Sequence, residues 1–148
     1  MKIGITNDHR GVKAKHFLTK YLNLLGYTVI DYGTDSEESA DFPDYAKKLG
    51  IGIKEKEVDL GIAICGTGIG MSIAANKVKG IRAARCVTNT DAHLARIHNN
   101  ANVLCLGIND TPVESLCSVI DTFLNSNEVV EDRHKKRIAK IINYEERA

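Results

Sequence analysis

The sequence predicts an α/β fold, a three-layer α/β/α sandwich around a five-stranded parallel sheet. Three observations predict it. Five short apolar, β-branched runs recur along the chain, and segments with helical spacing separate them. The central run, Asp59-Leu-Gly-Ile-Ala-Ile-Cys65, is apolar at nearly every position, as a strand covered on both faces must be. The length, 148 residues, suits one domain with a substantial core. Strand and helix signals that alternate in this way lead to a Rossmann-like parallel sheet with right-handed crossovers. Strand order does not follow from the pattern.

The elements read in order as follows. Residues 2–6 form the first strand, and Asn7-Asp8-His9-Arg10-Gly11 the polar loop after it. Residues 12–25 carry Ala14, Phe17, Leu18, Tyr21, Leu22 and Leu25 at helical spacing, and Gly26 fits the helix C-cap. Tyr27 to Tyr32 is the second strand, and Gly33 to Asp41 a long acidic loop. Pro43 suits a first helical position, and that helix runs to about Lys56, weakened by Gly50 and Gly52. The third strand, 59–65, is followed by a glycine-punctuated turn and a helix over 67–77. Ile81 to Val87 is the fourth strand. Thr90 is a candidate N-cap for a helix from Asp91 to Asn99. Asn102 to Leu106 is the fifth strand. Thr111 and Glu114 have capping-box spacing for a helix ending near Leu124. The tail, 129–147, places Val130, Ile138, Ile141 and Ile142 on one helical face, for packing on the domain or on a partner subunit.

Composition excludes several classes. Hydrophobic residues make up 43% and charged residues 26%, with a formal net charge of +1, so bulk electrostatics point to neither nucleic acid nor membrane as a partner. No apolar run approaches the roughly 20 residues of a membrane span, and Met1-Lys2-Ile3-Gly4 runs into a strand pattern without a signal-peptide core. The four cysteines, Cys65, Cys86, Cys105 and Cys117, show no metal-site spacing, so free thiols in a cytoplasmic protein are expected.

Ligands of such sheets bind beyond the carboxyl ends of the strands. Asp8, His9 and Arg10 should meet there with Cys65, Gly66, Thr67, Gly68 and Gly70, with Thr88 and Asn89, and with Gly107 and Asn109. Glycines let a backbone approach a ligand closely, and a thiol beside a strand–turn–helix junction should ionise more easily than a free one. Plain structural alternatives stand beside each reading. Cys65 can be an apolar filler, and Asp8-His9 a simple turn with an Asx bond. His98 can be a helix C-cap group, and Arg133 and Arg137 a solvated basic face, with a phosphate clamp as the sharper alternative. His98 and Asn99 precede the fifth strand, so reaching the carboxyl edge requires a neighbouring subunit or a bent loop.

The glycine loop is no Walker loop, because GxxxxGK[ST] is absent, and it departs from GxGxxG at Ile69-Gly70-Met71. Metal ligation is weak as well, since His93 and His98 are five apart with no carboxylate to join them.

The segment Cys65-Gly-Thr-Gly-Ile-Gly-Met-Ser-Ile-Ala-Ala-Asn-Lys77, with Gly80-Ile81-Arg82-Ala83 after it, resembles the type B ribose-5-phosphate isomerases, which share a family with the galactose-6-phosphate isomerase subunits. Asn7-Asp8-His9, Asp31-Tyr-Gly-Thr34, Asp41-Phe-Pro-Asp-Tyr45, His98-Asn99-Asn100 and Arg133-His134-x-x-Arg137 extend the resemblance over the whole chain. It implies an aldose–ketose isomerase of the pentose phosphate pathway that needs no metal or cofactor. Cys65 would be the base that moves a proton between carbons 2 and 1. The amides of residues 66–70, among them Gly66, Gly68, Ile69 and Gly70, and the Thr67 hydroxyl would stabilise the enediolate. His98, with Asp8 near it, would open the sugar ring. Asn99 would orient hydroxyls, and His9, Arg133 and Arg137 would hold the phosphate. One branch of the family replaces this cysteine with a glutamate in the loop; here that position is Met71, which implies the cysteine branch. The resemblance also implies a homo-oligomer, dimer or tetramer, with shared active sites. Six-carbon sugar phosphates, such as allose 6-phosphate or galactose 6-phosphate, remain rival substrates. A non-catalytic phosphate-binding module is the rival of a different class.

Overall fold

A computed structural model describes residues 1–109, 111–126 and 129–147. The strands are β1 (Lys2–Asn7), β2 (Thr28–Asp31), β3 (Leu60–Cys65), β4 (Ala83–Arg85) and β5 (Val103–Gly107). The helices are α1 (Val12–Leu24), α2 (Phe42–Lys54), α3 (Ile69–Ala75), α4 (Asn89–Asn99), α5 (Val113–Asn125) and α6 (Asp132–Arg147), and a 3-10 turn (His9–Gly11) follows β1. All neighbouring strands are parallel, in the order β2-β1-β3-β5-β4.

The sheet is covered on both faces, so its strands alternate between two apolar cores rather than between core and solvent. Ile62, Ile64, Leu104 and Leu106 face α1, α4 and α5, where Leu18, Leu22, Ala92 and Phe123 pack. Ala63, Cys65, Val103 and Cys105 face α2 and α3, meeting Ala46, Leu49, Met71 and Ala75. α6 packs on α4, outside the layer that covers the sheet. The α/β sandwich with a five-stranded parallel sheet is therefore as the alternating pattern predicts.

Several element boundaries differ from expectation, each for a local reason. α3 starts at Ile69 rather than 67, because Gly68 takes a left-handed φ of +77° that no helix continues. α4 starts at Asn89, so its cap is Thr88, not Thr90. The Thr88 hydroxyl accepts the Asp91 N–H at 3.1 Å, and the Asp91 carboxylate accepts the Thr88 N–H at 3.1 Å, completing a capping box. The Thr111–Glu114 box does not form. Pro112, with ψ at 139°, stands outside the helix as its N-cap, and Glu114 falls one position short. Pro43 is the second helical residue of α2, and that helix ends at Lys54. α2 runs through Gly50 and Gly52 because a side chain at either would collide with Val78 or Tyr32. β4 has three residues rather than seven, and α6 begins at Asp132 rather than 129.

Candidate active site

The chain steps from β1 outward to β2, then crosses back to β3 and the other half of the sheet. The carboxyl ends of β1 and β3 therefore flank the topological switch point, where open α/β sheets bind ligands. Cys65 ends β3 and Asn7 ends β1, so Asp8 and the glycine loop leave the sheet side by side.

Cys65 is only 4% exposed and sits opposite Gly107 of β5. The loop after it folds back across the end of β5. Ile108 N–H donates to the Cys65 and Gly66 carbonyls at 3.2 and 3.0 Å, and Asn109 N–H to Gly66 at 2.9 Å. A Cβ on Gly107 would lie 2.6 Å from the Thr67 carbonyl carbon and oxygen, so the loop passes where only glycine leaves room. The left-handed Gly68 turns its N–H onto Cys65 Sγ at 3.0 Å. The Thr67 hydroxyl accepts the Ile69 N–H at 3.1 Å, and the Thr67 carbonyl accepts Arg85 Nε–H at 2.8 Å. Gly70 lies under the Phe42 ring, which a Cβ there would strike at 2.7 Å. A cleft of about 260 Å³ opens beside this loop, lined by Gly66, Thr67, Ile69, Arg85 and Asn109 among others.

Asp8 is 5% exposed, and its N–H donates to the Ile64 carbonyl at 3.2 Å, tying it to β3. Its carboxylate accepts the Arg10 N–H at 3.0 Å, the Asx bond that starts the 3-10 turn. His9 Nδ1 accepts the Ala40 N–H at 3.1 Å. In the neutral ring the proton is thereby assigned to Nε2, which serves as the donor. The acidic loop is anchored beneath these residues. Asn7 donates to the Thr34 carbonyl at 2.9 Å, and the buried Lys15 ammonium bonds Asp31 and Asp35 at 2.9 and 2.7 Å. Burial works against the Lys15 charge, but hydrogen bonds to Asp35 and Asp31 outweigh it and raise the lysine pKa. The bond from Lys15 holds Asp35 below its usual range.

The remaining predicted residues do not join this cluster within one chain. α4 leaves the carboxyl edge and runs the depth of the sheet, its 11 residues spanning about 16 Å. His98 and Asn99 thus lie at the opposite edge, Asn99 beside Ile81, Arg82 and Ala83. No bent loop returns them, so His98 is not near Asp8 of its own chain. Arg133 and Arg137 are with His98 instead, on α6. Arg133 Nε bonds Glu131 at 2.6 Å, and Arg133, Lys136, Arg137 and Lys140 line one basic hollow. His134, between the arginines in sequence, stacks on the His98 ring. One chain therefore presents two clusters: a thiol with a backbone loop, Asp8 and His9, and a separate set of imidazoles and arginines.

Three residues near these clusters lie outside the set of site candidates that the sequence marks. Arg85 ends a β-strand and reads as an ordinary exposed charge until its bond to Thr67 is seen. Phe42 packs on the loop from another helix. His134 had a signal, since it precedes Ile138 by one helical turn on the buried face of α6. Of the other cysteines, burial pushes the Cys86 thiol up to about 12 and raises Cys105 and Cys117, as fits packing residues. All four cysteines are free. Among the described residues no group of three or more His, Cys, Asp or Glu side chains is placed to hold a metal ion, and no helix is long and apolar enough to cross a membrane.

The chain is similar to known proteins over nearly its whole length. Residues 3–141 match the model of the Ribose/Galactose Isomerase family. The chain is 41% identical over 146 residues to ribose-5-phosphate isomerase B of Escherichia coli, covering 99% of this chain and 97% of that one. It superposes with a TM-score of 0.95 on the Clostridium thermocellum ribose-5-phosphate isomerase B, at 45% identity and with 99% of each chain covered. The Mycoplasma genitalium ribose-5-phosphate isomerase B, solved with bound ribulose-5-phosphate, aligns with a TM-score of 0.93 at 40% identity, covering 99% of this chain and 97% of that one.

Proposed function

The chain belongs to the ribose/galactose isomerase family, and on that footing we propose that it interconverts ribose 5-phosphate and ribulose 5-phosphate through an enediolate. The observation that carries this reading is the Cys65 sulfur held at the switch point, with the Gly68 amide aimed at it from 3.0 Å. A neutral thiol is a poor base. An N–H donor favours the thiolate, because a bond to an ionised acceptor is the stronger one. Cys65 takes the proton from carbon 2 and returns it to carbon 1. The oxygen that gains charge in between is met by amides of the 66–70 loop, those of Gly66 and Gly70, and by the Thr67 hydroxyl, while the Gly68 N–H stays on Cys65 Sγ and the Ile69 N–H on the Thr67 hydroxyl. Removing one such donor costs about 2.7–4 kcal/mol in other enzymes.

The sugar must first open its ring, and its phosphate must be held. His98 moves the ring proton with Asp8 beside it. Asn99 orients hydroxyls, and His9, Arg133 and Arg137 bind the phosphate. His9 suits this role because its Nδ1 is already occupied by Ala40, leaving Nε2–H to donate. The two clusters lie at opposite sheet edges of one chain, so this assignment requires a second copy whose His98 and arginines face the first copy's Cys65. The exposed Ile141, Ile142 and Tyr144 of α6 supply an apolar surface for such a contact. We take the chain as one isomerase domain, with α6 at the interface of a dimer or a dimer-based tetramer, acting in the cytoplasm without cofactor. Nucleic acid and membranes have no place in this reading.

The test is conversion of ribose 5-phosphate to ribulose 5-phosphate by the purified chain, with Cys65→Ala beside it. Conversion that Cys65→Ala abolishes, with ligand binding kept, is expected. Absence of activity until a second gene product is added points instead to a two-subunit six-carbon isomerase. Binding without turnover in the unaltered chain points to a non-catalytic module.

A further inference from the structure

The Thr67–Gly68 peptide group is held at both ends. Its carbonyl oxygen accepts Arg85 Nε–H at 2.8 Å, and its N–H donates to Cys65 Sγ at 3.0 Å. We propose that Arg85 is a positioning residue for Cys65, acting through this single peptide unit to favour the thiolate. The proposal rests on the reading of Cys65 as the base.

A guanidinium is always charged, and a cation bonded to a carbonyl draws electron density from the amide, so its N–H becomes a better donor. A better donor stabilises an anionic acceptor more than a neutral one, so the gain falls on the thiolate. The geometry explains how the charge gets there. Arg85 ends β4, two strands from Cys65, with β5 between them. The loop bridges that gap by crossing the end of β5 at Gly107, where a Cβ would meet the Thr67 carbonyl.

Other groups around Cys65 act differently. Asp8 and His9 follow β1, and Asp8 is bonded into its own turn. Tyr45 on α2 lies under the Lys48 ammonium, 4.8 Å from its ring centre. Cys105 on β5 is a buried thiol whose own ionisation is suppressed by burial. α3 contributes Met71 and no titratable side chain. Asp91 at the start of α4 is held below its usual range first by the Val87 and Thr88 N–H groups and only lastly by the Arg85 charge. Among the described residues, Arg85 is the cation bonded to the 66–68 backbone. It is exposed, so salt screens its charge and the effect is moderate.

The test titrates Cys65 directly. Thiolate absorbance is followed against pH, with Cys65→Ser in the same background subtracted, for the unaltered chain and for Arg85→Lys, Arg85→Gln and Arg85→Met. The bond-to-bond strengthening predicts that Gln and Met lower the thiolate-to-thiol ratio about two- to four-fold. Lys, which keeps the charge, restores most of it. Turnover on ribose 5-phosphate falls in step with the ratio, at unchanged KM. An unchanged ratio in folded Arg85→Gln overturns the proposal, because Gln keeps an N–H donor for Thr67 and removes only the charge. A raised KM with an unchanged ratio also overturns it and assigns Arg85 to substrate binding. If Arg85→Met does not fold, Arg85→Gln decides alone. The base reading fails separately, through turnover by Cys65→Ala, whatever the titration gives.

Discussion

The imidazoles of His98 and His134 lie stacked, ring centres 4.0 Å apart and planes within 18° of parallel. The pair joins the end of α4 to the start of α6. His134 is 6% exposed, and among the described residues its Nε2 has no hydrogen-bond partner; the nearest carboxylate, Glu131, is 3.9 Å away. Burial, and then the neighbouring His98 and Arg133, hold the His134 pKa below its ordinary 6.5.

That depression has a definite sign for stability. Between the lowered folded value and 6.5, the unfolded chain binds more protons at His134 than the folded chain does. Stability therefore rises with pH through this window and is lost as pH falls through it. In His134→Phe, which keeps an aromatic face against His98, this part of the acid sensitivity should vanish. Urea midpoints above and below the window, at fixed protein concentration, check it. An equally steep acid loss in the variant would assign the sensitivity to other groups.

Arg137→Ala should weaken phosphorylated sugars and leave free sugars nearly untouched. A charge-assisted bond contributes about 1.5–3 kcal/mol, so KM for ribose 5-phosphate should rise roughly ten- to a hundred-fold. The comparison is with KM for the matching free sugar. Equal effects on both would remove Arg137 from phosphate binding.

Gly107→Ala should act on the loop from a different strand. Its Cβ would lie 2.6 Å from the Thr67 carbonyl, so the loop must move or β5 must bend. Overpacking of this kind costs about 1–3 kcal/mol. Turnover should fall with it, because the same shift moves the Gly68 N–H away from Cys65. Denaturant unfolding and steady-state kinetics on one preparation test both halves. Full stability and full turnover would show that the loop has slack.

How far the sequence alone carries depends on the range of the interaction. β3 and its loop could be read because a fully apolar run ending in Cys65 and a Gly-Thr-Gly turn are local signals. The choice between Thr88 and Thr90 as cap turns on which residue leaves the helical backbone region, and neighbouring threonines look alike in sequence. The failed cap at Thr111 has the same origin, since Pro112 delays the helix by one position. The separation of His98 from Asp8 is topological. It follows from α4 running away from the carboxyl edge, and the direction was readable although the partner surface was not. Arg85 was hidden because its significance lies in a bond to a backbone carbonyl two strands away.

Proton transfer by Cys65 is the centre of this account, and exchange in deuterated water with ribose 5-phosphate measures it most directly. The account predicts deuterium at carbon 1 of the ribulose 5-phosphate formed by the unaltered chain, in the fraction of turnovers in which the Cys65 proton exchanges with solvent before its return. It predicts none with Cys65→Ala, although that variant still binds the sugar phosphate. Deuterium incorporation or isomerisation by Cys65→Ala at a near-normal rate would contradict it.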